Sequence, residues 1–152
     1  PGFVTLPARK TNEVNMRAAA AATAIALLTA LPAGAETRGF IGFNWSFDSY
    51  GSTPEGVLGI ARIRLDSDGD ARGAKASVHL PLADGLSFGS AKLVGVRGKS
   101  DRMIEAGVGW SAATGSVIGT AGLWAPYVDA GLDFDLSGVR GYGGINSLKN
   151  WD

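Results

Sequence analysis

From Gly39 onward, apolar and non-apolar residues alternate with a period of two, in runs of about eight to ten residues broken by Gly, Asp and Pro. Ile41, Phe43, Trp45 and Phe47 alternate with Gly42, Asn44 and Ser46. Val128, Ala130, Leu132, Phe134 and Leu136 alternate with Asp129, Gly131, Asp133 and Asp135. This is the rhythm of strands whose two faces meet different surroundings. Taking the breaks as turns predicts eight strands, at 39–47, 57–65, 72–82, 86–98, 103–111, 116–124, 127–136 and 139–146. Only the connection at 48–56, with Pro54, is longer than a hairpin needs. No stretch of helical length and period follows residue 35, and consecutive short connections favour neighbours that run antiparallel. The expected fold is all-β: an eight-stranded antiparallel up-and-down β-barrel of the transmembrane type.

In such a barrel one side-chain set meets lipid and the other fills the lumen. The third segment offers Ala74, Ala76, Val78 and Leu80 outward with Lys75, Ser77 and His79 inward; the fifth offers Ile104, Ala106, Val108 and Trp110 outward with Glu105 inward. The second fits if Ala61, Ile63 and Leu65 face out and Arg62 and Arg64 face in. In the fourth, the greasier face of Leu86, Phe88, Val94 and Val96 also carries Lys92, so a bulge near 90–92 is expected to turn that lysine inward. The sixth is apolar or small on both faces and decides nothing.

Residues 16–35, MRAAAAATAIALLTALPAGA, have the basic start, apolar centre and Ala-x-Ala end of a cleaved secretory signal peptide. Residues 1–15 read as an untranslated or leader extension, leaving 36–152 as the barrel domain. Beyond residue 35 acidic and basic side chains nearly balance, so no basic excess marks a nucleic-acid partner. The absence of cysteine excludes disulfides and thiolate chemistry. Of 23 glycines, 21 follow Ala35; they alternate with large apolar residues, as in Gly107-Val108-Gly109-Trp110, which suits a narrow and strongly curved sheet.

Residues 125–136, APYVDAGLDFDL, resemble a strand of the small Gram-negative outer-membrane barrels of the OmpA transmembrane-domain and OmpX class, through Pro126, Tyr127, Gly131, Leu132 and Phe134. EAGVGW at 105–110 is similar to another strand of that class, and GYGGI at 141–145 is a weaker echo. The resemblance implies an exported outer-membrane protein, a monomer, whose partners are outer-membrane lipid and the barrel-assembly machinery. Barrels of the class end on an aromatic residue and carry long external loops; here Trp151 is followed by Asp152, and 48–56 is the only roomy loop expected.

The inward polar set gives a lumen ion-pair network of Arg62, Arg64, Lys75, Glu105, Asp133, Asp135 and Arg140, because charges withdrawn from water must pair. Arg140 is expected opposite Asp133 or Asp135. Trp45, Trp110, Trp124, Tyr127 and Trp151 lie near strand ends and are expected to form interfacial aromatic girdles. Ser77, the single histidine His79, and Glu105 are the weak candidates for acyl-hydrolase chemistry. Asp66, Asp68 and Asp70 alternate as calcium ligands do, yet Ala71 and Ser77 occupy the positions where that loop needs Gly and Glu, so the segment reads as a solvated turn. No metal site, cofactor or nucleotide fingerprint is expected.

The leading expectation is an outer-membrane barrel with a structural or envelope-interaction role and no catalysis. The alternatives are a periplasmic or secreted soluble barrel holding a small apolar ligand, and, more remotely, a lipid-modifying barrel enzyme. The direction of Phe43, Trp45, Leu132 and Phe134 separates the first two.

Overall fold

The computed structural model describes residues 34–49, 51–83 and 85–151; residues 1–33, and with them all but the last two residues of the expected signal peptide, lie outside them. Among the described residues the secondary structure is eight strands and no helix: β1 (Glu36–Asp48), β2 (Gly51–Leu65), β3 (Asp70–Pro81), β4 (Ser90–Lys99), β5 (Arg102–Ser111), β6 (Ser116–Ala125), β7 (Val128–Asp135) and β8 (Gly138–Asn146). Each strand pairs antiparallel with the next, and β8 returns to β1, closing an up-and-down barrel.

The ladder fixes the barrel's geometry. One row of paired residues runs Glu36, Ile63, Gly73, Val96, Glu105, Gly122, Gly131, Tyr142 and back to β1 at Ser46, ten residues above its start (46 − 36). Ten steps of ~3.3 Å over eight strand spacings of ~4.8 Å tilt the strands by about 40°. Glu36 and residues 147–151 share one mouth, the terminal rim, with the β2–β3, β4–β5 and β6–β7 turns. The other four connections form the hairpin rim.

Turn chemistry explains several breaks. Gly69 and Gly115 adopt φ of 75° and 63° in their hairpins, a region where a side chain is strained. At the β6–β7 turn Pro126 is followed by Tyr127 at φ 67°, the pattern of a type II turn in which the second central residue must be left-handed. Two connections differ from expectation. The roomy loop at 48–56 is a tight turn, because β2 begins at Gly51 and pairs with β1 through Pro54, opposite Trp45. Pro54 is tolerated there because the ladder to β3 begins only at Glu55. The long connection is instead 82–89, where a strand was expected to begin at 86. The Gly89 N–H bonds to His79 O at 2.9 Å, and Phe88 stacks on Trp110 with centroids 5.9 Å apart.

The side-chain faces are as expected on β1, β3, β5 and β7. Phe43, Trp45, Leu132 and Phe134 all point outward, with 36%, 44%, 51% and 47% of their surface exposed. β2 reverses the expectation: Ala61 and Ile63 are 0% and 1% exposed inside the barrel, so Arg62 and Arg64 stand on its outer wall. β4 needs no bulge, since its pairing with β3 and β5 is uninterrupted and Lys92 is buried on the same inner face as Val94 and Val96. The common reason is that polarity changes along the barrel axis. Toward the terminal rim the interior is an apolar plug of Phe40, Ala61, Ile63, Val94, Val96, Met103 and Trp124, and the outer wall of β2–β5 becomes basic.

That plug is completed by residues beyond β8. Leu148 and Trp151 turn back into the mouth and are buried. Trp151 meets Trp124 edge-on at 6.0 Å, and the Arg38 guanidinium lies 4.5 Å over its ring. Trp124 and Trp151 are thus barrel-end packing, in correction of the girdle expectation, whereas Trp45, Trp110 and Tyr127 are exposed on the outside.

Candidate functional site

The chemistry-bearing side chains converge on the barrel interior between the plug and the hairpin rim. Alternation along β3 aims Lys75, Ser77 and His79 inward, and the same rule places Glu105 on β5, Lys92 on β4, Asp133 on β7 and Tyr142 on β8. Each charge finds an opposite. Lys75 Nζ pairs with the Glu105 carboxylate, which also accepts a hydrogen bond from Tyr142 Oη at 3.0 Å. Lys92 Nζ donates to Asp133 Oδ1 at 2.8 Å, and lies 4.2 Å from the centroid of the Tyr142 ring. Tyr142 therefore joins the two pairs, touching an anion with its hydroxyl and a cation with its ring face. It has room because a Cβ on Gly131 would lie 2.5 Å from its Oη, and one on Gly122 2.7 Å. Asp129 is held by amides, Asn44 Nδ2 at 3.3 Å and Asn146 Nδ2 at 3.0 Å.

The expected network is thus assembled from a different set. Lys75, Glu105 and Asp133 belong to it. Arg62 and Arg64 do not, being on the outer wall, where Arg64 Nε lies 3.4 Å from Asp66. Arg140 is opposite Asp133 in the β7–β8 ladder, but its ion pair is with Asp48 at 3.4 Å across the β8–β1 seam, because Lys92 already occupies Asp133. Asp135 caps the hairpin instead of pairing: it accepts from Ser137 N at 2.7 Å, Gly138 N at 3.2 Å and Ser116 Oγ at 3.2 Å. Glu55 and Asp48 escaped the sequence reading because they sat in or beside a segment read as a loop. Lys92 was expected to turn inward through a bulge, but was not placed in the network because it shared a parity with valines taken as lipid-facing.

Glu55 completes a second constellation. Ser77 Oγ lies 3.2 Å from His79 Nε2, and His79 Nδ1 lies 3.2 Å from Glu55 Oε2. Ser77 and His79 are two residues apart on one strand, and the carboxylate comes from β2 and not, as the sequence suggested, from Glu105. The order Ser–His–carboxylate matches a nucleophile, its base and the group that orients the base. The surroundings do not suit acyl transfer. All three side chains are buried, the central cavity beside them is about 20 Å³, room for about one water. The β3 amides that could cradle an oxyanion are engaged in the ladders to β2 and β4. The central cavity, at about 20 Å³ and lined by Lys75, Lys92, Glu105 and Asp129, is too small for an apolar ligand.

Toward the hairpin rim the lumen widens into an open basin of about 280 Å³, lined by Glu55, Ser90, Ser111, Asp133 and Asp135 among others. No group of His, Asp and Glu side chains among the described residues is arranged to hold a metal ion.

Comparison with protein-family models, with curated proteins and with solved structures finds nothing that matches this chain, so the likeness of 125–136 to the outer-membrane class is one of strand pattern.

Proposed function

We propose that the barrel spans a bacterial outer membrane as a monomer and acts there structurally or as an envelope-interaction protein, without catalysis. The observation that carries this reading is the inside-out distribution of polarity. Buried ion pairs fill the middle of the lumen, while Ile41, Phe43, Leu58, Ile104, Val108, Leu123, Leu132 and Ile145 stand on the outer wall with a third or more of their surface exposed. Soluble monomers rarely expose a contiguous apolar surface beyond a few hundred Å², whereas here it encircles the sheet. From Ile60 and Ile104 to Val117 and Val139 the outward apolar residues cover about 20 Å along the axis, using the ~3.3 Å rise and ~40° tilt, close to the ~25 Å band of membrane barrels. Trp45, Phe47, Trp110 and Phe134 gather at its hairpin-rim edge, where aromatic rings favour the interface.

The closed sheet satisfies the demand that no backbone group meet lipid unpaired. Export through the signal segment and handling by the barrel-assembly machinery belong to the same reading. Expression of the full chain in a Gram-negative host, followed by fractionation and gel electrophoresis with and without boiling, tests it. The expected result is an outer-membrane band whose migration changes on heating; a folded monomer in the soluble periplasmic fraction overturns the proposal.

A further inference from the structure

Six cations stand on the outer wall of four consecutive strands: Arg62 and Arg64 on β2, Arg72 on β3, Arg97 and Lys99 on β4, and Arg102 on β5. The ladder makes them a patch. Arg64 is opposite Arg72, Arg72 is opposite Arg97, and Lys99 is opposite Arg102. Because the rows climb with the barrel's shear, all six lie within about 7 Å of one level along the axis, just below the apolar band.

Like charges directly across a ladder repel, and side chains opposite one another are only ~5 Å apart at Cβ. The acidic neighbours offset this in part. Asp66, in the β2–β3 turn, serves both Arg64 and Arg72. Lys99 pairs with Asp70, and Arg102 lies 4.0 Å from Asp101. Arg97, at the end of the arginine row, joins no ion pair among the described residues. Asp66, in the turn on the rim, holds the Arg64 and Arg72 guanidinium groups toward itself, while the exposed Arg97 stands on the wall beside the lipid-facing surface. The row offers forked donors that match phosphate oxygens, at the depth where a bilayer places its phosphates.

We propose that this row, Arg64, Arg72 and Arg97, docks the phosphodiester headgroups of anionic phospholipid in the leaflet around the terminal rim. The inference rests on the membrane reading above and adds an oriented, one-sided lipid contact to it. A bound headgroup bridges two neighbouring arginines and relieves their repulsion, so binding is stronger for phosphatidylglycerol than for phosphatidylcholine, whose phosphate carries its own cation.

The test uses the full chain folded into vesicles of phosphatidylcholine with a minor share of spin-labelled phosphatidylglycerol or spin-labelled phosphatidylcholine, reading the motionally restricted lipid fraction. The wild-type barrel is expected to prefer the anionic label by about fivefold, a factor typical of a basic residue near an anionic surface. The variant Arg64→Gln/Arg72→Gln/Arg97→Gln is expected to lose the preference, and the matching triple Lys variant to keep most of it. Folding of each variant is read from heat-modifiable migration, and if the triple Gln variant does not fold, Arg97→Gln alone must still lower the preference. Excess inorganic phosphate at constant ionic strength is expected to leave the preference intact. A wild-type barrel in the bilayer without preference, a preference untouched by the Gln changes, or one abolished by inorganic phosphate overturns the lipid assignment alone. A chain that never enters the bilayer overturns the membrane reading, and this inference with it.

Discussion

Lys75 and Glu105 reach each other across the lumen from β3 and β5, two strands that are not neighbours in the sheet. Both are buried, so each is stable only while the other is present. Lys75→Met is therefore expected to cost about 3–5 kcal/mol by stranding a buried carboxylate. Adding Glu105→Gln to it removes the stranded charge and is expected to recover most of the loss. Urea unfolding of the barrel in vesicles checks this; equal losses in the single and double variants would show that the pair is not coupled. Tyr142 imposes a second requirement. Gly131→Val is expected to destabilise by about 1–3 kcal/mol, the range for overpacking, because its side chain would occupy the place of the phenol ring. A neutral result in the same titration would mean that the ring can move aside.

At the scale of strands, the number of elements and most of their boundaries were legible, because turn residues and a period of two are local signals. Parity was legible throughout, but the sign of each face was not. On β2 the residues 61, 63 and 65 were correctly grouped, yet they were assigned outward because two arginines alternate with them. A strand that passes from the apolar band to the rim changes partners on both faces: Leu58 and Ile60 face out where lipid is proposed, and Arg62 and Arg64 face out beyond it. β4 does the same, with Lys92 inward in the middle of the lumen and Val94 and Val96 inward in the plug. Averaging along a whole strand hides such a reversal. The Ser77–His79 contact was readable from their spacing, while Glu55 depended on pairing between β2 and β3 that no local pattern reports.

The same scale yields a depth-dependent prediction. Val108 lies mid-band on the outer wall and Val117 near its hairpin-rim edge, both well exposed. In bilayers Val108→Lys is expected to cost about 2–4 kcal/mol and Val117→Lys about 0–1 kcal/mol. A water-exposed wall would tolerate both, so equal small costs in the vesicle titration would count against a lipid surround.

For the whole molecule, stability depends on how the cylinder is closed. β1 and β2 share thirteen paired positions, from Glu36–Ile63 to Asp48–Gly51, but β1 and β8 share six, from Gly42–Asn146 to Phe47–Gly141. Below Gly42 the edge of β1 is met by the segment after β8. Ser147 N bonds to Ile41 O at 2.9 Å, Ile41 N donates to Ser147 Oγ at 3.1 Å, and Arg38 Nη1 donates to Asn150 O at 2.8 Å. Trp151→Ala removes the anchor of that segment and is expected to cost about 3–5 kcal/mol, as for other buried aromatic truncations. Amide exchange of residues 38–41 should accelerate in this variant while the β2–β3 amides stay protected. Uniform acceleration would instead indicate global loosening.

A tube made from one ribbon has a join, and here the join is half ladder and half strap. Until residues 147–151 fold across it, the lower part of β1 presents bare amides and carbonyls, which are a template for any strand that arrives first. Another copy of the chain could supply that strand as readily as β8. The few residues that follow the last strand therefore decide between a sealed single barrel and a chain of barrels stitched edge to edge.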